Sequence, residues 1–161
     1  MEQDCAELRF CEMTEADIPA LTALMTRAFD DDTLKHRGQA KGGPPGYDDG
    51  GFFREWVLGY KESVGYSVLL GDALVGCVIV WDMPDGHNLL GTVFVDPAYQ
   101  DRGLGTRIWQ WVETAYPDAK SWRLETPCWA TKNHYYYEIK CGFERVGEQN
   151  ECYQYRKVMG A

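Results

Sequence analysis

Apolar and polar residues change rhythm several times along this chain, and each change predicts an element. Leu8 to Met13 alternates as a strand does. Ile18, Leu21, Leu24, Met25 and Phe29 then recur on one helical face, behind a Thr14–Asp17 capping box or an Asp17 cap just ahead of Pro19. Asp30 to Gly51 holds a run of aspartates and two glycine-rich clusters, which predicts a long loop serving function or motion. Phe52 to Tyr60 predicts a short helix. Val64–Leu70 and Ala73–Trp81 flank Gly71-Asp72, a hairpin signal, and Asp85-Gly86 turns into a further strand from Asn88 to Val95.

Pro97 stops that strand. A glycine-containing turn follows, then an amphipathic helix with Leu104, Ile108, Trp111, Val112 and Ala115 on one face. A strand over Ser121–Thr126, a short aromatic helix from Asn133 and a last strand near Cys152–Val158 complete the reading. An antiparallel meander that passes into strand-helix-strand predicts an α/β (α+β) fold: a mixed, mostly antiparallel sheet of about six to seven strands flanked by helices. No repeat or low-complexity segment interrupts it, so residues 1–161 are expected to form one domain.

The turn from Gln100 to Thr106 is the first candidate for chemistry. A helix that begins inside a glycine turn leaves its first backbone N–H groups unpaired and pointing one way. With the helix dipole they suit an anion, most often a phosphate. Gly103 and Gly105 carry no side chain, which lets a pyrophosphate approach the backbone closely. No Gly-Lys-Ser/Thr follows, which disfavours a nucleoside-triphosphate site.

Composition narrows the partners. A formal charge of −9 argues against nucleic acid, whose phosphates need a basic surface, and suits a cationic substrate. The six cysteines (Cys5, Cys11, Cys77, Cys128, Cys141 and Cys152) show neither a Cys-x-x-Cys pair nor metal spacing with the histidines. Reduced thiols and no metal are therefore expected. The stretch Met1-Glu2-Gln3-Asp4 is acidic rather than signal-like, and the longest apolar run, Ala73 to Trp81, is only strand-sized. A soluble cytoplasmic protein without membrane contact is expected, with a homodimer left open.

Gln-x-x-Gly-x-Gly directly after a strand, followed by Asn133-His134-Tyr135-Tyr136-Tyr137-Glu138-Ile139-Lys140-Cys141-Gly142-Phe143, resembles the GNAT superfamily of acyl-CoA N-acyltransferases. The shared signature runs from about Leu89 to Phe143. The resemblance implies acetyl-CoA as cosubstrate and transfer of its acetyl group to a primary amine of a small molecule or peptide, by direct attack in a ternary complex. A non-catalytic acyl-CoA-binding sensor of the same fold is the alternative. Backbone groups of Phe94 and Val95 would pair with the pantetheine arm. The turn formed by Gln100, Asp101, Arg102, Gly103, Leu104, Gly105 and Thr106 would hold the pyrophosphate. Arg102 and Arg107 are near enough in sequence to add charge. Asn133 either caps its helix or bonds the cofactor.

Acyl transfer to an alkylamine of pKa about 10.4 requires a neutral nitrogen, which costs roughly 4–5 kcal/mol at neutral pH. A base helps, and so does a proton donor for the departing thiolate. The family's base is often a glutamate on the fourth or fifth strand. Leu89 to Val93 offers no carboxylate, so Glu125 is the available acid, with water as the alternative. The family's donor is often a tyrosine on the helix after the fifth strand. Counting forward from Glu125 reaches Tyr137, whereas counting back from Gly142-Phe143 reaches Glu138. One added residue, such as Ile139 or Lys140 in a helix bulge, reconciles the counts. Tyr137 is therefore the expected general acid, ahead of Tyr136, with Tyr135 as packing. His134 is either a base or an exposed side chain, and Trp129 is core or cleft wall.

Overall fold

A computed structural model describes residues 7–160. The readings made for Met1–Asp4 and Cys5 lie outside those residues. The elements in chain order are β1 (Leu8–Glu12), α1 (Ile18–Arg37), α2 (Gly51–Trp56), β2 (Ser63–Leu70), β3 (Ala73–Trp81), β4 (His87–Val95), α3 (Leu104–Ala115), β5 (Ser121–Pro127), α4 (Thr131–Tyr135), β6 (Glu144–Gln149) and β7 (Cys152–Val158). A π-helical turn, Tyr136–Lys140, continues α4. The strands form one open seven-stranded sheet in the order β1-β2-β3-β4-β5-β7-β6. Every neighbouring pair is antiparallel except β4 and β5, which run parallel across the α3 connection.

Both sheet faces are covered. On one side α3 and the Tyr136–Lys140 turn bury Leu104, Ile108, Trp109, Val112, Tyr137 and Phe143 against Val78, Val80, Trp122 and Tyr155. Trp109, rather than the half-buried Trp111, fills the centre of that face; Trp111 stacks on Phe10 with ring centroids 4.1 Å apart. On the other side α1 and α2 bury Ile18, Leu21, Leu24, Met25 and Phe53 against Cys77, Ile79 and Phe94. The β3 bounds and the Thr14–Asp17 capping box agree with the sequence reading.

Two expectations need correction. Asp30 to Gly51 is not all loop, because α1 continues to Arg37 and ends at Gly38 in a left-handed conformation. Aspartates are poor helix formers, but here each of the first two is engaged. Asp30 accepts from the Gly42 N–H at 3.0 Å and the Tyr47 hydroxyl at 2.6 Å, and Asp31 pairs with Lys35 one turn on at 2.9 Å. The C-terminal region holds two strands rather than one. The sequence pattern does not predict β6, because Glu144–Gln149 lies at the sheet edge and shows no apolar alternation.

Candidate active site

β4 and β5 stay together only at their beginnings, where His87, Asn88 and Leu89 pair with Ser121, Trp122 and Arg123. Beyond that point they part. The parting coincides with a bulge on β4: Val80 pairs with Leu90 and Ile79 with Thr92, so Gly91 is the extra residue. The bulge turns the strand over. Leu90 joins the α3-side core and Phe94 the α1-side core, although an unbroken strand would place them on one face. Between the unpaired edge of β4 and the end of β5 lies a cleft of about 690 Å³.

The chain leaves β4 through a tight turn, Pro97–Tyr99. The Asp96 carboxylate accepts from the Ala98 N–H at 2.9 Å and from Arg27 at 2.9 Å. Burial opposes the Asp96 charge, but the Ala98 N–H and the Arg27 guanidinium outweigh it and hold the carboxyl below the usual range. Asp101 and Gly103 then take left-handed conformations, with φ of 63° and 76°. The turn so formed aims the start of α3 into the cleft. The Arg107 N–H bonds to the Gly103 carbonyl at 3.2 Å, so the amides of Leu104, Gly105 and Thr106 precede the first N–H that donates within α3.

Phe94, Val95, Gln100, Asp101, Gly103, Leu104, Gly105 and Thr106 all line the cleft. The Gln100 side-chain amide donates to the Val95 carbonyl at 3.1 Å, tying the turn to the end of β4. Arg102 does not line it; its guanidinium lies 5.2 Å above the Tyr99 ring, which satisfies it on the surface. Arg107 is likewise absent from the wall. Gly105 is also constrained from the side of the tyrosine helix. A Cβ there would stand 2.9 Å from the Tyr136 ring, so its missing side chain makes room for that ring. Gly103 has open space at the same position, and its positive φ is what calls for glycine.

Glu125, Asn133 and Tyr137 line the opposite wall. Glu125 is exposed on β5 and accepts from the Gln154 amide at 3.0 Å. Asn133 does not cap α4. Ala130 holds that position, and the Asn133 amide donates to Thr126 Oγ1 at 3.1 Å, bracing the helix start on β5. His134 is neither exposed nor in the cleft; its Nε2 lies 2.9 Å from the Pro127 carbonyl oxygen and its ring faces Tyr153. Trp129 is cleft wall, with the Arg37 guanidinium 5.3 Å above it.

The helix carrying Tyr137 holds the added residue. The Cys141 N–H reaches back to the Tyr136 carbonyl at 3.0 Å, a five-residue step that absorbs one extra position. Tyr137 and Glu138 consequently face opposite ways. Tyr137 is buried, 8% exposed, and lines the cleft. Glu138 turns to Tyr155 and Arg145, accepting at 2.5 and 3.1 Å, and the Tyr155 hydroxyl foremost holds its carboxyl below the usual range. The Tyr136 hydroxyl is committed to the Gly105 carbonyl at 2.6 Å, whereas the Tyr137 hydroxyl makes no hydrogen bond among the described residues. Burial pushes the Tyr137 phenol well above its ordinary value.

Sequence reasoning missed one cleft residue, Lys132, and placed another, Asp32, among loop aspartates suited to a cationic acceptor. Lys132 reaches Gln100 Oε1 at 3.2 Å and Asp101 Oδ1 at 3.3 Å across the mouth. Asp32, which the sequence pattern assigns to a loop, lines the cleft from the last turns of α1. Among the described residues no group of His, Cys, Asp or Glu gathers to hold a metal ion, and no helix is long and apolar enough to cross a membrane.

The family model described as Acetyltransferase (GNAT) family matches residues 21–143, a span that includes β4, the glycine turn, α3, β5 and the tyrosine helix. The chain belongs to this family. The uncharacterized protein YrkN of Bacillus subtilis is 29% identical over 138 residues, covering 85% of this chain and 73% of that protein. Among solved structures, an acetyltransferase from Thermus thermophilus has a TM-score of 0.79 at 15% identity, covering 94% of this chain and 97% of its own. The PaiA N-acetyltransferase of Thermoplasma acidophilum, crystallised with coenzyme A, has a TM-score of 0.76 at 10% identity, covering 95% and 99%. At such identities the structures show a shared GNAT fold.

Proposed function

We propose that the protein is an acetyl-CoA-dependent N-acetyltransferase that acetylates a primary amine of a small molecule or peptide by direct attack in a ternary complex. The observation that carries this reading is the parted β4–β5 edge. It leaves the β5-facing side of β4 without a strand partner at Phe94 and Val95, beside the Leu104, Gly105 and Thr106 amides that lie ahead of the first bond within α3. A pantetheine arm fits the first as an added strand, and a pyrophosphate fits the second through N–H donors and the helix dipole. Asn133 and Lys132 stand at the same cleft, where the Lys132 charge complements a phosphate. Coenzyme A bound to the PaiA enzyme supports the choice of cosubstrate.

The acceptor nitrogen attacks the thioester carbon, the C–S bond breaks, and the sulfur leaves with the electron pair. Tyr137 meets that sulfur. A buried phenol of lowered acidity keeps its proton at neutral pH, so it faces the developing thiolate as an O–H donor rather than as a second anion. Glu125 takes the proton released by the amine through water, its Oε2 already held by Gln154.

Incubation with acetyl-CoA, a thiol reporter and a panel of primary amines tests the assignment. Amine-dependent thiol release with N-acetyl product is the expected result. Tight acetyl-CoA binding without turnover on any amine would instead favour a sensor.

A further inference from the structure

Three aspartates follow one another near the end of α1, and the structure gives them different partners. Asp30 turns to its own loop, bonded to Gly42 and Tyr47, and Asp31 pairs with Lys35 on the helix surface. Asp32 lines the cleft, half-buried, and among the described residues makes no hydrogen bond or ion pair. The other cleft carboxylates are engaged: Asp101 with Lys132, and Glu125 with Gln154. A partly desolvated carboxylate without a partner is costly, and a cation would offset that cost. Burial raises the Asp32 carboxyl, while His36, Lys132 and Lys35 favour its charge and Asp31 opposes it.

Asp32 lines the same cleft as Tyr137. Its charge reaches the Tyr137 phenol and helps to raise it. An attacking nitrogen must come within about 3–3.5 Å of the thioester carbon, which is bonded to the sulfur that Tyr137 meets. Because Asp32 and Tyr137 share that cleft, the carboxylate borders the space in which that nitrogen approaches. Phe29, one turn earlier on α1, and Trp129 line the same cleft and offer aromatic surface to the carbon skeleton behind the nitrogen.

We infer that Asp32 is the specificity residue for the acceptor: its carboxylate receives a primary ammonium and makes the cleft prefer alkyl and aralkyl amines over neutral molecules of the same shape. The inference rests on the acetyl-transfer reading of the cleft and adds which residue selects the acceptor.

The test titrates the full chain with 2-phenylethylamine and with 2-phenylethanol, its neutral counterpart, read by saturation-transfer NMR with and without acetyl-CoA. The wild type should bind the ammonium at least about tenfold more tightly than the alcohol. Asp32→Asn and Asp32→Ser should erase that preference, Asp32→Glu should restore part of it, and Asp31→Asn should leave it intact. In steady state, Asp32→Asn should raise the amine KM about tenfold or more while the acetyl-CoA KM stays constant. A wild type that does not distinguish the two ligands, or a folded Asp32→Asn or Asp32→Ser protein that still does, overturns the inference. Failure of acetyl-CoA to bind would overturn the acetyl-transfer reading instead, because ammonium preference is also measured without it.

Discussion

The Tyr136 hydroxyl donates to the Gly105 carbonyl at 2.6 Å while its ring occupies the space where a Gly105 side chain would stand. The tyrosine-bearing helix is thereby locked against the first turn of α3. One end of the cleft cannot shift without the other. Gly105→Ala should force the ring aside, with a destabilisation of about 1–3 kcal/mol and weaker acetyl-CoA binding. Gly103→Ala meets no atom and should cost only the left-handed backbone penalty, about 1–2 kcal/mol. Thermal denaturation and acetyl-CoA titration of the two variants separate the effects.

Tyr137→Phe keeps the ring in its core between Tyr136, Phe143 and Tyr155 and removes only the hydroxyl. Turnover should fall on the order of 10²-fold with little change in acetyl-CoA affinity. Tyr136→Phe should retain turnover within a few fold and lose about 1 kcal/mol of stability with its hydrogen bond. Since burial raises the Tyr137 phenol, its acid form persists beyond the ordinary tyrosine value of about 10. A pH–kcat profile should show no alkaline decline from this group below that pH.

Asp96 predicts an acid-sensitive tie at the turn before α3. Its folded carboxyl lies below its ordinary value of 3.8, so its ionised form stabilises the fold above that pH. The contribution is lost as pH falls through the lower folded value. Asp96→Asn should flatten this acid limb in urea titrations while preserving an acceptor for the Ala98 N–H.

Asp30→Ala should release both the Gly42 amide and the Tyr47 hydroxyl from the end of α1. A loss of about 1–3 kcal/mol is expected, with faster hydrogen exchange at Gly42 as the local readout. Tyr47→Phe removes one of the two bonds and should be milder.

Sequence periodicity made β3 and β7 legible to the residue, because burial on both faces or one leaves a plain apolar pattern. β6 was hidden because an exposed edge strand needs no such pattern. The last turns of α1 were hidden because what stabilises them, Gly42 and Tyr47, lies several residues downstream. The placement of the glycine turn and Tyr137 on one cleft was legible through family resemblance, and the conflicting counts around Tyr137 pointed to the π-helical turn. Asp32 carried no signal that sets it apart from Asp30 and Asp31, since only the fold gives those three different surroundings.

The brief pairing of β4 with β5 has a mechanical consequence. β1 to β4 form one ladder and β5, β7 and β6 another, and among the described residues the main-chain bonds between them lie within Gly86–Leu89 and Lys120–Arg123. Asn88 sits in that joint, 1% exposed, accepting from the Met83 N–H at 2.8 Å. The molecule therefore resembles a book bound along a short spine, whose covers are the two ladders. Damage at Asn88 should let the covers unfold in separate steps, whereas damage far out on either ladder should leave one cooperative transition.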